Sequence, residues 1–380
     1  MIAYAVPISM PLFMFSFHSK LSDVIGVSLG DLHSMVMKQD GTVWSTGVSF
    51  RNDYITYKKH FEKVISGRAT AMAAGQGYSM VIMEDGTLWG MGRNSRGQLG
   101  DGTKSRKMSI SLSKQVVGAK AVAAGAYHSM VLTQQGRVWL AGWNKYGQLG
   151  EESTAYRSRF YAAITRGPKG VSVAAGDLHS MILKEGGSVW AAGRNQNGQL
   201  GDGSKDDRYK FVKVVSSGAA DISAGGFHSM MIKEDGSVWG TGWNQHGQLG
   251  DDSATDQTNY IQVMLSEARA ASLGSRHSMV LKKDGSVWVA GHNGFGQLGD
   301  GWTTNKYVFM QVISSGAKAI AAGAGHSMVL KQDGSLWVTG SNKFGQFGDG
   351  STTSKQIFIK LSIFTNGMAI ACKSIVQTPR

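Results

Sequence analysis

A block running from Gly323 through Ser327-Met328, Asp333-Gly334 and Trp337 to Gly340 recurs, lightly edited, seven times along the chain. Aligned on the tryptophan, the copies stand at Trp44, Trp89, Trp139, Trp190, Trp239, Trp288 and Trp337, with spacings of 45, 50, 51, 49, 49 and 49 residues. A period near fifty, with strand-like text between glycines, describes a unit too small to bury its own apolar faces, so neighbours must stack. All variation in length falls outside the block, as expected of a fixed scaffold carrying variable loops.

Each unit reads as four short strands. In the last copy 317–322 and 326–330 are apolar runs bounded by glycine, and Asp333-Gly334 separates the second from 335–338. Asp-Gly in that setting is a hairpin signal, and the expectation is a tight primed turn with both central residues at positive φ. Five units carry Asp-Gly; Gln135-Gly136 and Gly186-Gly187 stand in for it in the other two. A fourth run, such as 211–215 or 308–312, closes the unit. Four antiparallel strands repeated seven times, with no helical period and no polar capping unit, predict an all-β, seven-bladed β-propeller of four-stranded antiparallel blades. Methionine and tryptophan, nine residues apart on hairpinned strands, are expected to fill the wedges between blades.

Residues 23–380 read as one propeller domain. Residues 1–22 read as an apolar leader, irregular or a signal, with the irregular reading favoured because no basic segment precedes 2–17 and 15–19 fits a cleavage site poorly. The run 23–29 has the text of a first strand, and 367–372, within a candidate strand over 367–376, has that text again. One of the two is expected to complete the ring.

The string His-Ser-Met-Val-Leu-Lys-x-Asp-Gly-Ser-Val-Trp-x-x-Gly-x-Asn-x-x-Gly-Gln-Leu-Gly-Asp-Gly resembles the repeat of the regulator of chromosome condensation family. Its Gly-Gln-Leu-Gly element stands at 97–100, 147–150, 198–201, 247–250 and 296–299, with Phe347 replacing leucine in the last copy. The resemblance spans residues 23 to 361, but unit one lacks this element after Gly47, and unit two has Tyr78 where the others have histidine. It implies a propeller scaffold used in several ways: as a chromatin-bound guanine nucleotide exchange factor for the small GTPase Ran, as a binding part of ubiquitin ligases, as a plant photoreceptor, or as a secreted inhibitor or effector. A common fold leaves function open. No unit exceeds the period enough to hold the exchange factor's inserted hairpin. The photoreceptor's Trp-Arg-His-Thr context is missing, and neither a ligase domain after 361 nor a long basic tail before 20 is expected.

The formal net charge of +13 favours an acidic partner: a protein surface, chromatin or nucleic acid. The single cysteine, Cys372, excludes an internal disulfide and a cysteine metal site. His33, His128, His179, His228, His277 and His326 lie one per unit, a spacing unlike a zinc motif, and are expected to make a structural hydrogen bond. The Gly-Gln-Leu-Gly loops precede no helix and carry no Gly-Lys-Ser/Thr, so they are turns rather than phosphate cradles. No nucleophile constellation or carboxylate pair stands out. Catalytic residues, cofactors and metals are therefore not expected, and no stretch after the leader is long enough to span a membrane. A monomer working inside the cell is expected.

Strand order predicts the working face. In an up-and-down blade the first-to-second and third-to-fourth loops emerge on one side, and they carry nearly all the variable residues. Units one to three supply cations there, including Arg51, Lys58, Lys59, Arg93, Arg96, Arg106, Lys107, Arg157 and Arg159, while unit five supplies Asp251, Asp252 and Asp256. Trp143, Tyr146, Trp243, Phe295 and Phe344 are predicted as exposed aromatics of the kind enriched at interfaces. Arg93, Arg96, Arg106, Lys107, Arg157, Arg159 and these five aromatics form the candidate partner-binding set. The leading expectation is a non-enzymatic interaction propeller, an exchange factor for a Ran-like GTPase among its uses; the alternatives are a chromatin or nucleic-acid binder and a secreted inhibitor or effector.

Overall fold

The inner strands are short and alanine-rich for a geometric reason: near the axis of a propeller the blades converge, and only small side chains fit. The computed structural model describes residues 23–51, 54–113, 116–164 and 168–362. These form seven antiparallel four-stranded sheets, each from four consecutive strands ordered inner, second, third, outer. Blade one comprises β1 (Val24–Leu29), β2 (His33–Lys38), β3 (Thr42–Arg51) and β4 (Tyr54–Ser66). Blade two comprises β5 (Ala69–Ala74), β6 (Tyr78–Met83), β7 (Leu88–Gly92) and β8 (Lys107–Ser113). Blade seven ends with Lys355–Lys360. The fold is the seven-bladed propeller that the repeat predicts. No helix among the described residues is long and apolar enough to cross a membrane.

Second strands such as His128–Thr133 are buried at every position, because a blade is covered on both faces by its neighbours. Their side chains therefore serve two seams. In blade six Met279 pairs with Val289 and Val280 with Trp288, which turns Met279 and Trp288 to opposite faces. Met279 joins the cluster that Trp337 of the next blade packs against, while Trp288 packs on the cluster holding Met230 of the preceding blade. Each wedge thus receives the methionine of one blade and the tryptophan of the next.

The Asp-Gly hairpin departs from the primed turn. Gly334 sits at φ +77 and Gly41 at +72, but among the described residues the aspartates before them are not at positive φ. Gly334 N–H donates to the Lys331 carbonyl, giving a turn that ends in a left-handed glycine. The aspartate has another task. Asp333 Oδ1 accepts from the Ser335 N–H and hydroxyl, and Ser335 Oγ in turn accepts from Trp337 Nε1 at 3.0 Å. The same relay holds Trp44, Trp89 and Trp239. Where Gly186 replaces the aspartate, Trp190 Nε1 is buried without a partner.

Closure is direct. β1 is the inner strand of blade one, and β2 meets blade seven through Ser34 Oγ and His326 Nε2 at 3.0 Å, the contact other seams repeat. The competing run 367–376, like the leader 1–22, lies outside the described residues. Blade one departs in another way: β3 and β4 are 10 and 13 residues long and pair out to Arg51 and Tyr54, beyond the Gly47–Lys58 pair where other blades begin their loop. No unit exceeds the period, yet blade one carries an extended hairpin, because its loop residues themselves continue the ladder.

Candidate functional site

The loop face rests on a rigid base. In blade four Asn195 Oδ1 accepts from Leu200 N–H, Asn195 Nδ2 donates to Asp202 Oδ1, and Gln199 Oε1 accepts from Asn197 N–H. The Asn-x-x-Gly-Gln-Leu-Gly-Asp loop is thereby bonded to itself, with asparagine and glutamine fully buried. Its Gln199 carbonyl accepts from Ser229 Oγ of blade five, which accepts from His179 Nε2 at 2.8 Å. The repeated histidines are hydrogen-bonded seam residues, as their one-per-unit spacing suggests. Burial holds them neutral: His33 and His128 are pushed down to about 4, and His179, His228, His277 and His326 to about 3.

Above this base three positions per blade escape the repeat: the residue before the histidine, the residue after the third-strand glycine, and the residue before Gly-Gln. Because the blades are alike, the ring spaces these positions evenly, and their side chains meet from blade to blade. Arg96 of blade two lies over the Trp143 ring at 5.1 Å. Trp143 makes edge contacts with Tyr127 and Tyr146, at 5.3 and 5.8 Å. Arg194 of blade four spans Tyr146 and Phe227, at 5.4 and 5.1 Å. Phe227 meets Trp243, Trp243 meets His246, His246 meets His292, and His292 meets Phe295, all edge-on at 5.0 to 6.0 Å. Arg276 covers Trp243 from blade six. The result is an unbroken ladder of rings and guanidinium groups across five blades.

Its two histidines are also held neutral, His246 by partial burial and the Arg276 charge, His292 by burial with His246 and Arg276 beside it. Their Nδ1 atoms face the side-chain amides of Asn305 and Gln297, at 3.3 and 2.8 Å. Inside the arc the channel mouth is acidic. Asp31 takes a hydrogen bond from Gln76 Nε2, and burial raises its carboxyl despite Arg93 nearby. Asp177 is pushed up to about 7 by burial and by Asp31, with Arg276 opposing.

Of the candidate set, Arg96, Trp143, Tyr146, Trp243 and Phe295 come together in the ladder. Arg93 stands inside it, near Asp31. Phe344 lies apart, stacked at 5.3 Å on Tyr57 of the blade-one hairpin. Of the set's five aromatic residues only Phe295 is exposed, at 54%; Trp143, Tyr146, Trp243 and Phe344 are half-buried, because each ring is covered by its neighbour. Arg157 and Arg159 sit on the outer strand of blade three, away from the ladder. Arg157 pairs with the buried Glu151 carboxylate at 2.8 Å, and the Arg159 backbone forms an isolated antiparallel bridge with Asp101 of the blade-two loop. Arg106 is exposed just before β8, which Lys107 begins. The acids read as a charged sector in unit five are partly structural: Asp251 bonds Asn244 and Ser253, and Asp256 caps Asn244 N–H.

The candidate set leaves out Tyr127, Arg194, Phe227, Arg276, His246 and His292, although the residue before each histidine is a variable position. The signal was present, since all six occupy the three non-repeating positions. Their mutual contact was not, because much of it joins residues of different blades, up to 48 positions apart as between Tyr146 and Arg194. Exposed Trp302, at 64%, and Tyr57, at 55%, were also missed.

Stretches of the chain match models of the regulator of chromosome condensation (RCC1) repeat, at 85–132, 135–183, 186–232, 235–281 and 284–330 in one form and at six stretches from 69–98 to 317–346 in another. No curated protein matches by sequence. Among solved structures, human WBSCR16 is similar at 24% identity and a TM-score of 0.72, over 81% of this chain and 85% of that one. Prp20p of Saccharomyces cerevisiae, described with its binding to Gsp1p and histones, is similar at 19% identity and a TM-score of 0.71, over 80% of each chain.

Proposed function

The chain belongs to the RCC1 repeat family, and from that premise we propose that it is an interaction propeller whose loop face engages an acidic protein surface, with a Ran-type small GTPase as the partner and nucleotide release as the consequence. The ladder carries this reading. Arginines and aromatic rings are the side chains over-represented among interface anchors, and here they are held in place before any partner arrives. Exchange asks no reacting group of the propeller; it asks only for tighter binding to the nucleotide-free GTPase than to the loaded one. Binding of Prp20p to Gsp1p and histones supports a protein partner.

Release of labelled nucleotide from a Ran-type GTPase is the test. Micromolar propeller should accelerate it, and Trp243→Ala should remove most of the acceleration. No acceleration by the intact chain sinks the exchange reading. Binding that collapses with salt in proportion to phosphate contacts would point to nucleic acid instead.

A further inference from the structure

Six of the seven seams are sealed alike. The glutamine carbonyl of one blade's loop accepts from the serine of the next, at Ser34, Ser129, Ser180, Ser229, Ser278 and Ser327. The leucine of the loop, or Phe347, is buried at the seam, and the residue two beyond it bridges to the neighbouring outer strand. Blade one has no such loop, because β3 runs on into its hairpin. Ser79 of blade two is bonded to His33 Nε2 at 2.9 Å and, among the described residues, to no main-chain carbonyl. No bridge of this kind to β8 is found among the described residues. A cavity of about 110 Å³ opens there, on the loop side, between Val48, Ser49, Gly77, Met91 and Gly92.

We propose that the seam between blades one and two is a binding slot for a tight turn of a partner protein, one that presents a main-chain carbonyl to Ser79 and an aliphatic side chain to the cavity. The occupant is specified by the molecule itself, since the equivalent place in six other seams holds a Gly-Gln-Leu-Gly or Gly-Gln-Phe-Gly turn. The cavity has the volume of a few water molecules, enough for one such side chain. Unlike those seams, this one has no main-chain carbonyl among the described residues to complete the serine's hydrogen bonding, and a buried hydroxyl short of a partner favours any ligand that supplies one. The β3–β4 hairpin forms one wall and β7 the other. The slot is independent of the ladder, and a peptide alone reads its occupancy.

The full chain would be titrated with a cyclised, fluorescently labelled Asn-Gln-Asn-Gly-Gln-Leu-Gly-Asp-Gly, the sequence of residues 195–203. Saturable binding is expected, weakened at least ~10-fold when aspartate replaces the leucine of the peptide. Exchange of residues 48–57 for the blade-four loop 194–207 should fill the slot from within, abolish peptide binding and raise the melting temperature. Met91→Trp, which fills the cavity without altering the hairpin, should weaken binding by a similar factor and keeps the test open if the exchanged chain does not fold. Absence of saturable binding up to about 1 mM, equal binding of both peptides, or undiminished binding to the filled variants would overturn the proposal.

Discussion

Histidine occurs in two settings in this propeller, and they behave as different materials. In the seams it repeats in register, donates from Nε2 to the next blade's serine and is fully or nearly fully buried. On the loop face His246 and His292 occupy positions that change from blade to blade, half-buried among rings. The seam histidine solves a problem that every blade shares: how to satisfy a polar group while joining to a neighbour. The loop-face histidines answer needs particular to their place, His246 Nδ1 facing the Asn305 side-chain amide and His292 Nδ1 that of Gln297. Identity between units marks what the fold requires, and variation marks what it leaves free for a partner.

Acid should break that comparison most dramatically. The six seam histidines have folded-state values of about 3 to 4, below the ordinary 6.5. The unfolded chain therefore binds more protons between those values, so their contribution is fully present above pH 6.5 and is lost as pH falls. At about 1.4 kcal/mol per pH unit for each group, the six together reach up to about 8 kcal/mol per unit. Denaturant titrations at stepped pH should show cooperative collapse between pH 6 and 4, with uptake of several protons. A flat profile down to pH 4 would mean that the belt opens to water.

Next in size is Gly225→Ala. Its added methyl would meet His228 Cε1 at 2.5 Å and the Gly274 carbonyl at 2.6 Å, both fixed by the seam. A loss of roughly 3 kcal/mol is expected by chemical denaturation, while partner affinity changes only through the unfolded fraction. Trp243→Ala should do the reverse. Stability should fall by about 1 kcal/mol, and partner affinity by about 2 kcal/mol, some 30-fold, measured by calorimetry. Equal effects of the two substitutions on both readouts would erase the distinction between seam and face. The smallest effect is expected at the rim, where Arg159→Glu should shift affinity by less than about 1 kcal/mol and act mainly on the salt dependence of association.

How much could be read beforehand differs between the two regions for the same reason. The period of the tryptophans, the Asp-Gly turns and the Gly-Gln-Leu-Gly loops were sufficient for blade count, strand count and the structural role of the histidines, because each rests on residues close in sequence or on repetition itself. The turn type was misread: Asp-Gly commonly marks a primed hairpin, but here Asp333 is needed to hold Ser335 and, through it, Trp337. The pairing of Arg157 was not legible, because nothing in the text around it says that the Glu151 carboxylate is buried under it.

By itself, then, the sequence determined the seven-bladed array, the face that varies and the residues that could not belong to a site. Only the tertiary structure decided which variable residues touch. Ring closure brings Arg96, Trp143, Arg194, Phe227 and Trp243 within about 6 Å of their neighbours although each belongs to a different loop. It also decided that no described residue seals blade one against blade two: an absent loop is visible in the chain, but the space it leaves exists only once blade two stands beside it.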